Sequence, residues 1–205
     1  MASTTWPTSN WPEGVAHDVS DYEKPLFSII DESAQEYPNQ VYTIFNDASR
    51  TYSQVKDTAD RIANFLVSRG IQKGDRVATQ LVLLPEHMAL MYACFKIGAI
   101  IAPLDVRLSE NEVVRDINKI EAKSFFFLGN TPVRDFRMVG KAVIKGCLSV
   151  KHLVQFTPDP KPGDIIQGAV SISDLMNKMR LIWLKLTDIF TGKLKKAYQQ
   201  IDKRT

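Results

Sequence analysis

The sequence predicts an α/β fold, a mostly parallel sheet with crossover helices, on three observations. Runs of strand length at 76–84, 99–102 and 124–128 are mostly apolar and do not alternate, as suits strands buried on both faces. Between them lie stretches of helical periodicity, so the order strand, helix, strand, helix, strand emerges, which is the pattern of parallel strands joined by crossovers. The helices also carry their own punctuation: Pro85 at a first turn, Gly98 at a stop, and Ser109 with Glu112 at capping-box spacing.

Each element follows in order. Residues 1–22 are rich in Pro, Ser, Thr and Asn with isolated Trp6 and Trp11, and read as an irregular arm. From Pro25, the residues Leu26, Ile29, Ile30 and Ala34 repeat at helical spacing up to Tyr37-Pro38. VYTIFN at 41–46 and Arg50-Thr51-Tyr52, separated by Asp47-Ala48-Ser49, predict a hairpin. Ser53 is then a candidate cap for a helix whose Val55, Ala59, Ile62, Ala63 and Leu66 share a face, with Gly70 placed for a left-handed stop. Arg76 to Leu84 reads as a buried strand, Glu86 to Ile97 as a helix, and Ala99 to Ala102 as a second buried strand. The capped helix runs through Ile120, and Ser124 to Leu128 forms the third strand. A weaker helix is predicted over Val133 to Lys145, a further strand over His152 to Phe156, and a loop around Pro158, Pro160, Pro162 and Gly163. From Leu175, the stripe Leu175, Met179, Ile182, Leu186 and Ile189 alternates with lysines, predicting an amphipathic helix broken at Gly192. The organisation is therefore an arm at 1–22, an α/β domain at 23–174 and a basic helical tail at 175–205.

Composition narrows the function classes. The chain is 44% apolar and 24% charged, values of an ordinary globular protein. Its net charge of +3 is uneven, since 175–205 holds eight Lys/Arg against Asp188 and Asp202 and so carries +6, leaving −3 on the rest. A basic body suited to nucleic acid is absent. Two cysteines, Cys94 and Cys147, have neither disulfide-framework nor metal-ligand spacing, and the start lacks the basic and apolar regions of a secretory signal. The ending DKRT is not a peroxisomal address, and the run Met88 to Leu104 is too short and too interrupted to span a membrane, so a cytoplasmic location is expected.

Searches for chemistry return little. TDIFTGKL at 187–194 fails as a phosphate loop, because Thr187 stands where the first glycine belongs and Leu194 where a hydroxyl residue belongs. Gly70 and Gly74 do not complete a dinucleotide fingerprint, and no Gly-x-Ser-x-Gly elbow occurs. His17, His87 and His152 lie apart, with His87 expected at the surface or half-buried and Cys94 expected in the core. The paired carboxylates Asp31-Glu32, Asp57 with Asp60, and Glu110 with Glu112 are explained by solvated early helical turns. No catalytic, cofactor-binding or metal-binding residue is nominated.

Two segments add a resemblance. "RTYSQVKDTADRIANFLVSRGIQKGDRVA" (50–78) and "LPEHMALMYACFKIGAIIAPLDVRLSENEV" (84–113), followed by "EAKSFFF" (121–127), resemble the first core motifs of the adenylate-forming (AMP-binding) superfamily, which includes acyl- and aryl-CoA ligases. The likeness spans about residues 25–175 and implies the amino-terminal subdomain of that fold. It further implies ATP-dependent activation of a carboxylic acid to an acyl-adenylate, then a coenzyme A thioester, with ATP, magnesium and coenzyme A as the cofactors of a complete member. The family's triphosphate loop and catalytic lysine lie downstream of these motifs, and neither segment occurs among the 205 residues; Lys193, Lys195 and Lys196 match no motif around that lysine. The expectation is an amino-terminal fragment, inactive alone, whose partner is the remaining carboxyl-terminal part of the ligase. The other reading is a non-catalytic module that binds a partner or an anionic membrane surface through 175–205.

Overall fold

The computed structural model describes residues 24–45, 48–157 and 160–175; the arm at 1–22 and almost all of the tail at 175–205 lie outside the described residues. Helix α1 (Leu26–Glu36) leads into the antiparallel hairpin β1 (Val41–Phe45) and β2 (Ala48–Thr51). Helix α2 (Tyr52–Ser68) follows at once, and the alternation β3 (Arg76–Gln80), α3 (Pro85–Ile97), β4 (Ile100–Pro103), α4 (Glu110–Ile120), β5 (Ser124–Leu128), α5 (Arg137–Gly146), β6 (His152–Phe156), β7 (Ala169–Ser171) completes the domain. The five later strands form one sheet in the order β4-β3-β5-β6-β7, every pair parallel. The expected parallel α/β architecture is present.

Several boundaries differ from the sequence reading. Helix α2 is capped by Thr51, not Ser53: the Thr51 hydroxyl accepts from the Gln54 amide at 3.3 Å while Gln54 Oε1 accepts from the Thr51 amide at 3.0 Å. This reciprocal box satisfies two donors, where Ser53 would satisfy one. β3 stops at Gln80 instead of Leu84, because Pro85 opens a helix and the four preceding residues make the turn into it. β4 is an edge strand and not a buried one, with Ile100 52% exposed. Pro103 lacks an amide proton to share with a second neighbour, which suits that place. Helix α5 begins at Arg137, four residues after the predicted Val133, since 131–135 are tied into a compact turn by Thr131 and Arg134. β7 was not anticipated, being three residues long.

Crossover handedness distributes the helices. β3 to β4 steps one way along the sheet and β4 to β5 to β6 steps the other, so α3 must lie on the face opposite α4 and α5. Accordingly α1, α2 and α3 pack together, as do α4 and α5. β5 is central, and Phe125, Phe126 and Phe127 are each fully buried. Phe125 and Phe127 stack at 5.4 Å on one face, and Phe126 meets Phe156 at 6.2 Å on the other. Leu175, assigned to the tail from sequence, is 2% exposed and belongs to the core.

The two helical layers are held by different means. In the first, the Lys96 ammonium on α3 lies 2.5 Å from both Asp31 on α1 and Asp60 on α2, and Lys56 lies 2.6 Å from Asp60. The solvated-turn account of Asp31 and Asp60 is thereby overturned: Asp60 is 16% and Lys96 14% exposed, so the carboxylates are paired inside a three-helix junction. In the second layer, a Cβ added to Gly140 would lie 2.5 Å from the Phe127 ring and 2.7 Å from Ile166, and one added to Gly146 would lie 2.8 Å from Val114. Only glycine lets α5 approach so closely.

Candidate ligand-binding edge of the sheet

In an open parallel sheet the ligand crevice falls outside the carboxyl ends of the strands, where successive connections leave in opposite directions. Here that point lies between β3, which connects to α3 on one face, and its neighbour β5, which connects to α5 on the other. Four rim segments surround it: 81–84, 104–109, 129–136 and, among the described residues that follow β6, 157 with 160–168.

Gln80 ends β3 at the centre of this rim and is fully buried. Its Nε2 donates to the carbonyls of Asp105 at 3.1 Å and Leu108 at 3.3 Å, holding the segment after β4. Arg134, from the segment after β5, grips the same stretch from the other side, donating to Val106 O at 3.0 Å, Leu108 O at 2.8 Å and Glu110 Oε1 at 3.1 Å. Its guanidinium also sits 5.0 Å from the Phe136 ring centre. Gln80 Oε1 remains without a donor among the described residues, so the rim offers one buried acceptor.

Gln155 plays the equivalent part on β6. Its Nε2 donates to Thr157 Oγ1 and to Asp164 O, both at 2.8 Å, and its Oε1 accepts from the Ile166 amide at 3.1 Å. Gly129 makes room for this knot, since a Cβ there would fall 2.1 Å from Thr157 Oγ1. Under the 81–84 segment, Val82 O can only accept, so the 3.2 Å contact from His87 Nδ1 fixes the proton on that nitrogen. His87 Nε2 is left to accept from Thr79 Oγ1, also at 3.2 Å. His87 is 5% exposed, contrary to the surface or half-buried place expected for it. Burial pushes its pKa down, against the opposing effect of the Val82 bond.

The other sequence-flagged groups are structural. Cys94 is fully buried and its thiol is pushed up to about 12 by burial. His152 Nε2 meets Arg69 O at 2.9 Å, and His17 lies outside the described residues. Glu112 completes the cap with Ser109, and Glu110 pairs with Arg134. Gln80, Arg134 and Gln155 were missed, although a signal existed: two glutamines stand at or near the ends of otherwise apolar strands.

The rim arginines are engaged within the chain. Arg107 makes a bidentate pair with Asp105 at 3.0 and 2.7 Å, and its hydrogen bonds hold the Asp105 carboxyl down at about 2. Arg137 makes a similar pair with Asp135, 2.8 Å on both arms. Arg134 is engaged by three oxygens as described. Every arginine on the rim among the described residues is thus held by oxygens of the same chain, and no group of three or more His, Cys, Asp or Glu is placed to hold a metal ion there.

Fold and rim together define a parallel α/β subdomain with a polar, internally bonded mouth at the carboxyl ends of its strands. The family description "AMP-binding enzyme" matches residues 30–182, and the chain belongs to that family. It is 38% identical over 96 residues to the medium-chain fatty-acid–CoA ligase of Escherichia coli (strain K12), covering 46% of this chain and 17% of that protein. It is 24% identical over 153 residues to the long-chain-fatty-acid–CoA ligase of Bacillus subtilis (strain 168), covering 75% of this chain and 27% of that one. Among solved structures, coronafacic acid ligase from Pectobacterium brasiliense superposes with a TM-score of 0.64 at 23% identity, over 74% of this chain and 29% of that chain. The chain therefore spans between about a sixth and three-tenths of the length of these three proteins.

Proposed function

We propose that this chain is the amino-terminal, scaffold-forming part of an AMP-forming acid–CoA ligase, and that these 205 residues do not activate acids alone. The observation that carries the reading is the engagement of Arg107, Arg134 and Arg137 within their own rim, beside a family match over residues 30–182. Stabilising charge on a transferring phosphorus needs cationic donors aimed at the phosphate. Here the rim arginines are aimed at carboxylates and carbonyls of the protein.

On this reading ATP, magnesium and coenzyme A serve a ligase in which further segments complete the site, and the activated substrate is a carboxylic acid. The protein works in the cytoplasm. Among the described residues no helix is long and apolar enough to cross a membrane.

The test is acid-dependent ATP–pyrophosphate exchange by the purified 205-residue chain with short, medium, long and aromatic acids. Exchange at the level of buffer is expected. Robust exchange that co-purifies with the chain would overturn the proposal.

A further inference from the structure

The segment 136–157 carries Arg137, Lys141, Lys145 and Lys151 and no Asp or Glu. It folds as α5, the turn after it, and β6. The inner side of α5 is committed to the core through Val139, Gly140 and Val143. Its outer side is an exposed mixture of cations and large apolar groups: Met138 at 54%, Ile144 at 45% and Leu148 at 85% exposure, among Lys141 and Lys145. Leu148 stands on the turn between α5 and β6, where Lys151 Nζ donates to its carbonyl at 2.7 Å and so brings a third ammonium beside it.

We propose that this face is a docking surface for an anionic lipid bilayer, with α5 lying along the interface and Leu148 entering it. Lysines with interspersed apolar side chains are the composition that such surfaces bind: the ammonium groups meet headgroup charge while the apolar tips leave water. An uncharged apolar face would suit a protein partner better, but burying Lys141 and Lys145 against one would cost their hydration. The carboxylates around the face do not cancel it. Asp135, with Asp164 behind it, acts on Arg137 at the amino end of the helix, and on neighbouring α4 Asp116 is paired with Arg115 while Lys119 is exposed. The face is also remote from the mouth, because Leu148 follows the carboxyl end of α5 and so lies by the amino ends of the strands.

The experiment is co-sedimentation of the full 205-residue chain with phosphatidylcholine vesicles, with and without a one-third share of phosphatidylserine. Binding only to the anionic vesicles, weakening as salt rises, is expected. Lys141→Gln with Lys145→Gln is expected to lower affinity about 25-fold, at about fivefold per lysine. A solvent-sensitive dye at Leu148→Cys is expected to shift to the blue on anionic vesicles, whereas one at Ile44→Cys stays unchanged. Because these positions are exposed, circular dichroism of the variants should match the parent. Absence of anionic-vesicle binding overturns the proposal. So does binding that survives the Lys141/Lys145 change but is lost on neutralising Lys193, Lys195 and Lys196, or a duplex oligonucleotide that binds with equal dependence on Lys141 and Lys145.

Discussion

The two helical layers solve one problem, fixing helices over a parallel sheet, in opposite ways. The layer of α1, α2 and α3 is tied by charge, with Lys96 between Asp31 and Asp60. The layer of α4 and α5 is tied by close approach, with glycines at the positions where backbone meets Phe127 and Val114. An ion pair at a helix junction tolerates small changes of spacing but not loss of a partner, whereas a glycine contact tolerates neither a methyl group nor a shift. One layer should therefore respond to charge and the other to volume.

The sharpest way to break that contrast is to add volume where volume should matter. Gly140→Leu is expected to destabilise by about 3 kcal/mol, since overpacking costs of that size arise when backbone must move. Urea midpoints check it. Pairing the milder Gly140→Ala with Phe127→Leu should recover part of the loss, and additive costs would show that the glycine and the ring do not communicate.

Next in size is the removal of the central cation. Lys96→Met is expected to cost about 2 kcal/mol, reduced from the range for fully buried pairs because Asp31 is about one-third exposed. Lys96→Arg should retain most of the stability. A loss equal to that of the methionine variant would show that the aliphatic stem, and not the charge, ties the layer.

The smallest effect belongs to His87, which packs under the 81–84 segment. Its folded pKa lies below the unfolded value of about 6.5, so the unfolded chain takes up the proton first. The stability from keeping this imidazole neutral is thus fully present above about pH 6.5 and is lost as pH falls from there through the folded pKa. Urea midpoints measured across that window should decline in the parent and flatten in His87→Leu. Equal slopes would assign the decline to other groups.

These contrasts also show what was legible beforehand. Apolar runs and helix punctuation placed β5, β6, α3 and α4 to within a residue or so, because a strand buried on both faces leaves an unbroken run and a capping box leaves a fixed spacing. The edge position of β4 was half visible in Pro103. The pairing of Asp31 and Asp60 was not, since their shared partner Lys96 lies 65 and 36 residues further on; His87 was missed although its partners Thr79 and Val82 lie only eight and five residues before it. Distance in sequence also hid the rim: Gln80 reaches a segment 25 to 28 residues away, and Arg134 reaches back 26 to 28 residues to the same stretch. Family motifs marked the scaffold and left these contacts unannounced, because a glutamine at a strand end signals a bond without naming its partner.

The account rests on rim arginines that are already satisfied within the chain. Titrating magnesium-ATP into the isotopically labelled 205-residue chain, while following the amide signals of 104–109 and 129–136, tests this most directly. The expected result is no saturable shift at those positions. A saturable shift that Arg134→Ala abolishes would contradict it.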